Sequence, residues 1–187
     1  MVENNNPIHK ICVVGDEKVG KTTLIRYLCT GSISSTDLDD NTMILPTKIN
    51  LHDVNLLFCD CIQTDSNGTF FNNTEVVLLM FALDNKNSFI NVSEWLKYVQ
   101  GYIPNPFKYA IVATCSDKPR VVSAEEGRLV AEKVNAPYLE ISLKSFDGLV
   151  DVMQFIYENI SVRFYPQSPP KSPKRIHSPI LSRVIHF

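Results

Sequence analysis

The chain has 187 residues, 44% of them hydrophobic and 20% charged, with a formal charge of −2; this balance fits one compact domain and excludes a low-complexity or strongly basic chain built for nucleic acid. The longest apolar run, Val76 to Leu83, falls well short of the roughly 20 residues a membrane-spanning helix needs. The opening MVENNNP lacks the basic-then-apolar order of a secretion signal. Five cysteines (Cys12, Cys29, Cys59, Cys61, Cys115) are odd in number and scattered, which reads as free thiols in a reducing compartment. Cys59 and Cys61 share one face of a strand, yet no second Cys or His pair stands at ligand spacing, so packing is favoured over a thiolate metal site.

In chain order, residues 1–7 read as a disordered start, IHKICVVG (Ile8 to Gly15) as a buried strand, and Lys21 to Thr30 as a helix stopped by Gly31. Residues 32–42 form a polar loop, and short runs at Thr47 to His52 and Val54 to Asp60 predict a hairpin. Thr64 to Asn73 has no period and is expected to be a mobile loop before the apolar strand Glu75 to Leu83. A helix over Ser88 to Tyr102 and a strand over Tyr109 to Thr114 follow. SAEE (Ser123 to Glu126) is a capping box opening a helix to about Val134, with a strand at Tyr138 to Ser142 and a last helix at Leu149 to Arg163. The alternation predicts an α/β fold, a mostly parallel sheet with helices on both faces and ligands at the carboxyl ends of strands.

Gly15 to Thr22 is GDEKVGKT, which satisfies G-x-x-x-x-G-K-[ST] between a strand and a helix. The glycines let backbone amides wrap a phosphate chain, Lys21 reaches the β- and γ-phosphates, and Thr22 offers a hydroxyl to Mg²⁺. The nucleotide-binding set begins with Gly15, Asp16, Glu17, Lys18, Val19, Gly20, Lys21, Thr22 and Thr23.

GDEKVGKT after an apolar strand resembles the first nucleotide motif of the Ras-superfamily small GTPases, and the resemblance runs over residues 8–164. Asn87 to Asp117 is similar to the Rho branch, with its Ser-Phe-x-Asn-Val helix, while the 25-residue step from Asp117 to Ser142 leaves no room for the Rho insert. The resemblance implies a P-loop NTPase G domain over residues 8–165 with a six-stranded sheet, GTP or GDP as ligand and Mg²⁺ as cofactor. It also implies effector or regulator proteins engaging residues 32–47 and 61–74.

The family reads guanine with the Asp of N/T-K-x-D; here the segment is TCSD, so Thr114 and Asp117 stand in place and Cys115 replaces the lysine. A carboxylate accepting from two guanine N–H groups discriminates against adenine by roughly 10²–10⁴. Losing the lysine removes a stem beside the base and an ammonium that braces the loop. SLK (Ser142, Leu143, Lys144) stands for the family's S-A-K. The lesser alternative for Asp117 is a helix- or turn-capping acid.

The family's D-x-x-G-Q appears as Asp60-Cys61-Ile62-Gln63-Thr64. Asp60 keeps the Mg²⁺-facing position, but Gln63 stands where a glycine N–H meets the γ-phosphate and Thr64 where glutamine orients water. Gln63, displaced by one residue, is the candidate catalytic side chain. Glu17 stands where the family has a small residue. For the switch threonine that completes the metal shell, Pro46-Thr47 matches the motif but lies seven residues late, and Thr42 fits the spacing better; Thr47 is taken first and Thr42 second.

Residues 166–187 hold five of eleven prolines and carry Lys171, Lys174, Arg175 and Arg183 with no acid, whereas residues 1–165 carry 14 basic and 20 acidic side chains. This reads as a disordered basic tail that touches an anionic membrane weakly if at all. Ser168, Ser172 and Ser178 precede proline, so phosphorylation there would cancel its charge. No cysteine follows Cys115 and Val2 is second, so no prenyl or myristoyl anchor is expected. The expected protein is a cytosolic, atypical small GTPase-like signalling protein with slow or absent hydrolysis; the alternatives are a pseudo-GTPase scaffold and an ATP-using phosphotransferase, against which Asp117 and SLK stand.

Overall fold

A computed structural model describes residues 6–33, 41–61, 68–103 and 107–160. Its strands are β1 (Ile8–Gly15), β2 (Thr42–Ile49), β3 (His52–Asp60), β4 (Thr74–Ala82), β5 (Lys108–Thr114) and β6 (Tyr138–Glu140). Its helices are α1 (Lys21–Thr30), α2 (Lys86–Ile90), α3 (Val92–Tyr102), α4 (Ala124–Lys133) and α5 (Leu149–Asn159). The sheet order is β2-β3-β1-β4-β5-β6, parallel except for the β2–β3 pair. β1 lies between β3 and β4, so connections diverge there and a crevice opens at the carboxyl ends.

Alternation along the strands divides the interior in two. Ile11, Val13, Leu56, Leu78 and Val112 face α1 and α5, meeting Leu24, Leu28, Val152 and Ile156. Cys12, Val14, Val77, Leu79 and Ile111 face α3 and α4, meeting Trp95, Val99 and Ala131. β4 is buried on both faces, which is why Val76 to Leu83 is continuously apolar. All five cysteines are free thiols, and Cys59 and Cys61 lie in the α3-side interior.

Helix ends follow local chemistry. Gly31, at φ 71°, closes α1 by donating its N–H to the Tyr27 carbonyl at 2.8 Å. Ser123 and Glu126 form the reciprocal capping box. The Lys86 ammonium, together with the Ser123 N–H and hydroxyl, holds the Glu126 carboxyl far below its usual 4.5, at about 2. A depressed acid stabilises the fold above its unfolded pKa and loses that contribution as pH falls toward the folded one. The destabilisation caused by Glu126→Gln, read from urea midpoints, is therefore expected to be full above pH 4.5 and to vanish near pH 2.

The structure corrects several boundaries. The hairpin spans Thr42–Ile49 and His52–Asp60, because Leu45, Thr47 and Ile49 alternate inward along β2. Pro46 is tolerated there since β2 is an edge strand. Asn50 and Leu51 turn the chain with φ of 50° and 70°, the two positive values that a tight hairpin requires. The expected Ser88 to Tyr102 helix is two helices broken at Asn91, the first capped by the Asn85 side chain. Within the expected mobile loop, Thr69–Phe71 is a 3₁₀ turn whose Phe71 is buried against Tyr98 and Tyr102. α5 stops at Asn159, Arg163 and the basic tail lie outside the described residues, and Pro7 already pairs its carbonyl with the Asn55 N–H at 2.9 Å.

Candidate nucleotide-binding site

The site lies at the carboxyl edge of the sheet, where β1 ends at Gly15 and passes through a loop into α1. Gly20, at φ 97°, begins the helix with no side-chain cap and no acid in the first turn, so its terminal N–H groups are available to an anion. Lys21 Nζ donates to the carbonyls of Gly15 and Asp16, both at 2.8 Å, and so curls over the loop. Thr114 Oγ1, fully buried, donates to the Val19 carbonyl at 2.7 Å and ties the loop to the end of β5. Thr23 is half-buried in the first turn of α1.

A cavity of about 710 Å³ opens over this loop, lined by Asp16, Glu17, Lys18, Lys21, Thr22, Asp60, Asn91 and Trp95 among others. Thr22 Oγ1 donates to Asp60 Oδ2, so hydroxyl and carboxylate converge from α1 and β3. The other carboxylate oxygen of Asp60, Oδ1, is buried and has no hydrogen-bond partner among the described residues. A hydroxyl and a carboxylate with an unsatisfied oxygen form a hard-oxygen donor set that fits Mg²⁺.

Asp16 has a partner that sequence reasoning missed. Its Oδ2 accepts from Asn91 Nδ2 at 2.8 Å and its Oδ1 from Trp95 Nε1 at 2.7 Å, which docks the loop on α3 and occupies a carboxylate that would otherwise face the anion seat. The signal was the indole itself, since a buried tryptophan N–H needs an acceptor.

On the base side, Asp117 is fully exposed, and its Oδ1 accepts from Ser142 Oγ at 2.8 Å. That hydrogen bond is the main reason its carboxyl lies below the usual range. Leu143 packs over Gly20 so closely that a Cβ there would sit 2.9 Å from Leu143 Cδ1. Lys144 is exposed, and its N–H donates to Ser142 Oγ at 3.2 Å. Cys115 is half-buried at φ 61°. Lys118, three residues on, donates its N–H to the Cys115 carbonyl at 3.0 Å and its ammonium to Asp84 at 2.7 Å.

Three expected residues fare differently. Thr47 is not at the site: it is buried within β2 opposite Val54, with its hydroxyl 3.4 Å from that of Tyr157 beneath α5. Inward alternation along the edge strand places it there. Thr42, exposed, opens β2 opposite Cys59, beside Asn41, whose carbonyl accepts the Asp60 N–H at 2.7 Å and which lines the cavity. Gln63 lies outside the described residues.

The strand order, the loop and the convergent Thr22 and Asp60 define an α/β P-loop G domain of the small GTPase class. The Ras family model matches residues 10–162, and the chain belongs to the Ras family. Similar proteins include Ras-related protein Rab-26 of Rattus norvegicus, 26% identical over 147 residues covering 73% of this chain and 57% of that protein. GTP-binding protein rho5 of Schizosaccharomyces pombe is 25% identical over 92% of this chain and 96% of its own length. Ras-related protein SEC4 of Saccharomyces cerevisiae is 24% identical over 78% and 71%. The chain thus spans little more than half of Rab-26, and relatives of Rab and rho name match at nearly equal identity.

Proposed function

We propose that the chain is an atypical Ras-family protein that binds GDP and GTP with Mg²⁺, hydrolyses GTP slowly or not at all, and acts by engaging partner proteins. The observation that carries this reading is the pairing of two poles: Thr22 and Asp60 converging beside an uncapped helix start, and Asp117 held by Ser142 across the loop. Lys21 and the amides of Gly15 to Thr22 would hold the phosphates. Thr22 and Asp60 would hold Mg²⁺, with Thr42 rather than Thr47 as the third donor. The ion, when bound, neutralises charge on the β- and γ-phosphates. Asp117, with Thr114, Cys115, Ser142, Leu143 and Lys144 around it, would read the base.

Slow turnover follows from Gln63 and Thr64 standing where a glycine and a glutamine do the work, and from Glu17 at the phosphate cavity. Residues 32–47 and 61–74 are the proposed partner surface, and Ile44 is exposed on the edge strand within it. We read the chain as Rho-like without the insert on its Asn87 to Asp117 stretch, and similarity to proteins of both Rab and rho name is in keeping with a place outside a single branch. A cytosolic location, with at most weak membrane contact by the tail, completes the proposal.

Single-turnover hydrolysis of GTP-loaded protein is expected below roughly 10⁻⁴ s⁻¹, the order for an unassisted Ras-type site. An ordinary family rate would overturn the slow-turnover reading. The pseudo-GTPase alternative draws on Cys115 in place of the lysine. It would be supported if about 100 µM GDP or GTP left the melting temperature unmoved.

A further inference from the structure

We propose that Tyr27 and Phe146 are positioning residues of the guanine pocket: their stacked rings clamp the loop of residues 141–148 onto α1 and stand in for the lysine brace lost at Cys115. The inference rests on the guanine-nucleotide reading above and deepens it.

Within this loop Ser142 is the organising residue. Its hydroxyl donates to Asp117 Oδ1 at 2.8 Å and accepts from the N–H groups of Lys144 at 3.2 Å and Ser145 at 3.0 Å. Its own N–H donates to the Asp147 carbonyl at 3.1 Å. The aim of Asp117 therefore depends on where this loop sits. Two apolar contacts set that position against the phosphate side: Leu143 over Gly20, and the Phe146 ring on the Tyr27 ring, with centroids 4.3 Å apart and planes within 12°.

Phe146 is an improbable residue for its place unless the stack matters. Its φ is 67°, in the left-handed region that bulky L-residues rarely adopt, and the residue remains 40% exposed. Neither backbone preference nor burial favours phenylalanine here, and the ring contact with α1 is what it gains. Lys118, bonded to Asp84 at 2.7 Å, ties its own loop toward residue 84 and not to the loop of residues 141–148. A loop held in place before binding loses less freedom when the base arrives, so removing the clamp weakens base recognition and spares phosphate recognition.

The full chain is compared with Phe146→Gly, which removes the ring and relieves the strained φ, and with Tyr27→Leu and Tyr27→Phe. Titration calorimetry uses Mg²⁺ with GDP, ADP or pyrophosphate, and the ligand-free melting temperature is recorded for each protein. Phe146→Gly and Tyr27→Leu are expected to weaken GDP binding by about 3–10-fold and to narrow the GDP-over-ADP ratio. Pyrophosphate affinity should stay within about twofold, and Tyr27→Phe, which keeps the stack, should match the parent. Unchanged GDP affinity in both ring-deleting variants, or a parallel loss of pyrophosphate affinity, would overturn the clamp while leaving the functional reading intact. A folded parent chain that binds no GDP would overturn that reading and the clamp with it.

Discussion

Replacing Asp117 by alanine is expected to cut the preference for GDP over ADP by roughly 10²–10⁴, the loss of two charge-assisted hydrogen bonds to a base that adenine cannot mimic. Phosphate binding should survive, because Lys21 and Thr22 belong to a different loop and share no hydrogen-bond partner with Asp117 among the described residues. Competition of GDP and ADP against a fluorescent guanine nucleotide measures the ratio directly. An unchanged ratio would mean that Asp117 only organises Ser142 and that the base is read elsewhere. The companion Cys115→Lys restores a stem beside the base and should tighten GDP binding, since the Lys118 ammonium on this loop is already bonded to Asp84.

The second large effect concerns Gly15, where the sheet passes into the phosphate loop. Its φ is 145°, and a Cβ would lie 2.2 Å from the Met80 carbonyl oxygen and 3.0 Å from its carbon, on the neighbouring strand. Those atoms belong to a strand buried on both faces and cannot withdraw without breaking the β1–β4 register, in which Gly15 faces Met80. Gly15→Ala is expected to cost about 3 kcal/mol or more through overpacking and backbone strain. For a domain of this size that lowers the melting temperature by about 6–12 °C. Gly31→Ala is the matched control, because φ there is 71° but no atom lies within 4 Å of the added carbon. It should cost about 1 kcal/mol, the left-handed penalty alone. Equal losses at the two positions would show that conformation rather than close approach governs Gly15.

Much of the fold was legible because the deciding interactions are local. The strand, loop and helix from Ile8 to Thr30 stand where apolar runs and Gly31 predict them, and SAEE forms its capping box, since each depends on neighbours a few residues away. The turn from β1 into α1 was legible for the same reason: Gly15 to Thr22 is one contiguous segment, and Lys21 curls back onto its own carbonyls at Gly15 and Asp16.

What needed the tertiary structure was non-local. The burial of Thr47 opposite Val54 turned on how an edge strand pairs, because a residue's face is set by register with β3 and not by its distance from Thr22. The break at Asn91, inside an otherwise helical apolar spacing, followed from helix packing that brings Asn91 and Trp95 to Asp16, 75 and 79 residues away in the chain. The stack of Tyr27 on Phe146 joins a helix at one end of the chain to a loop near the other, where no periodicity connects them. Sequence by itself determined the element types, the phosphate motif and the departures at Cys115 and Gln63; only the packed sheet decided which side chains meet, because contacts between distant residues are set by strand order and register.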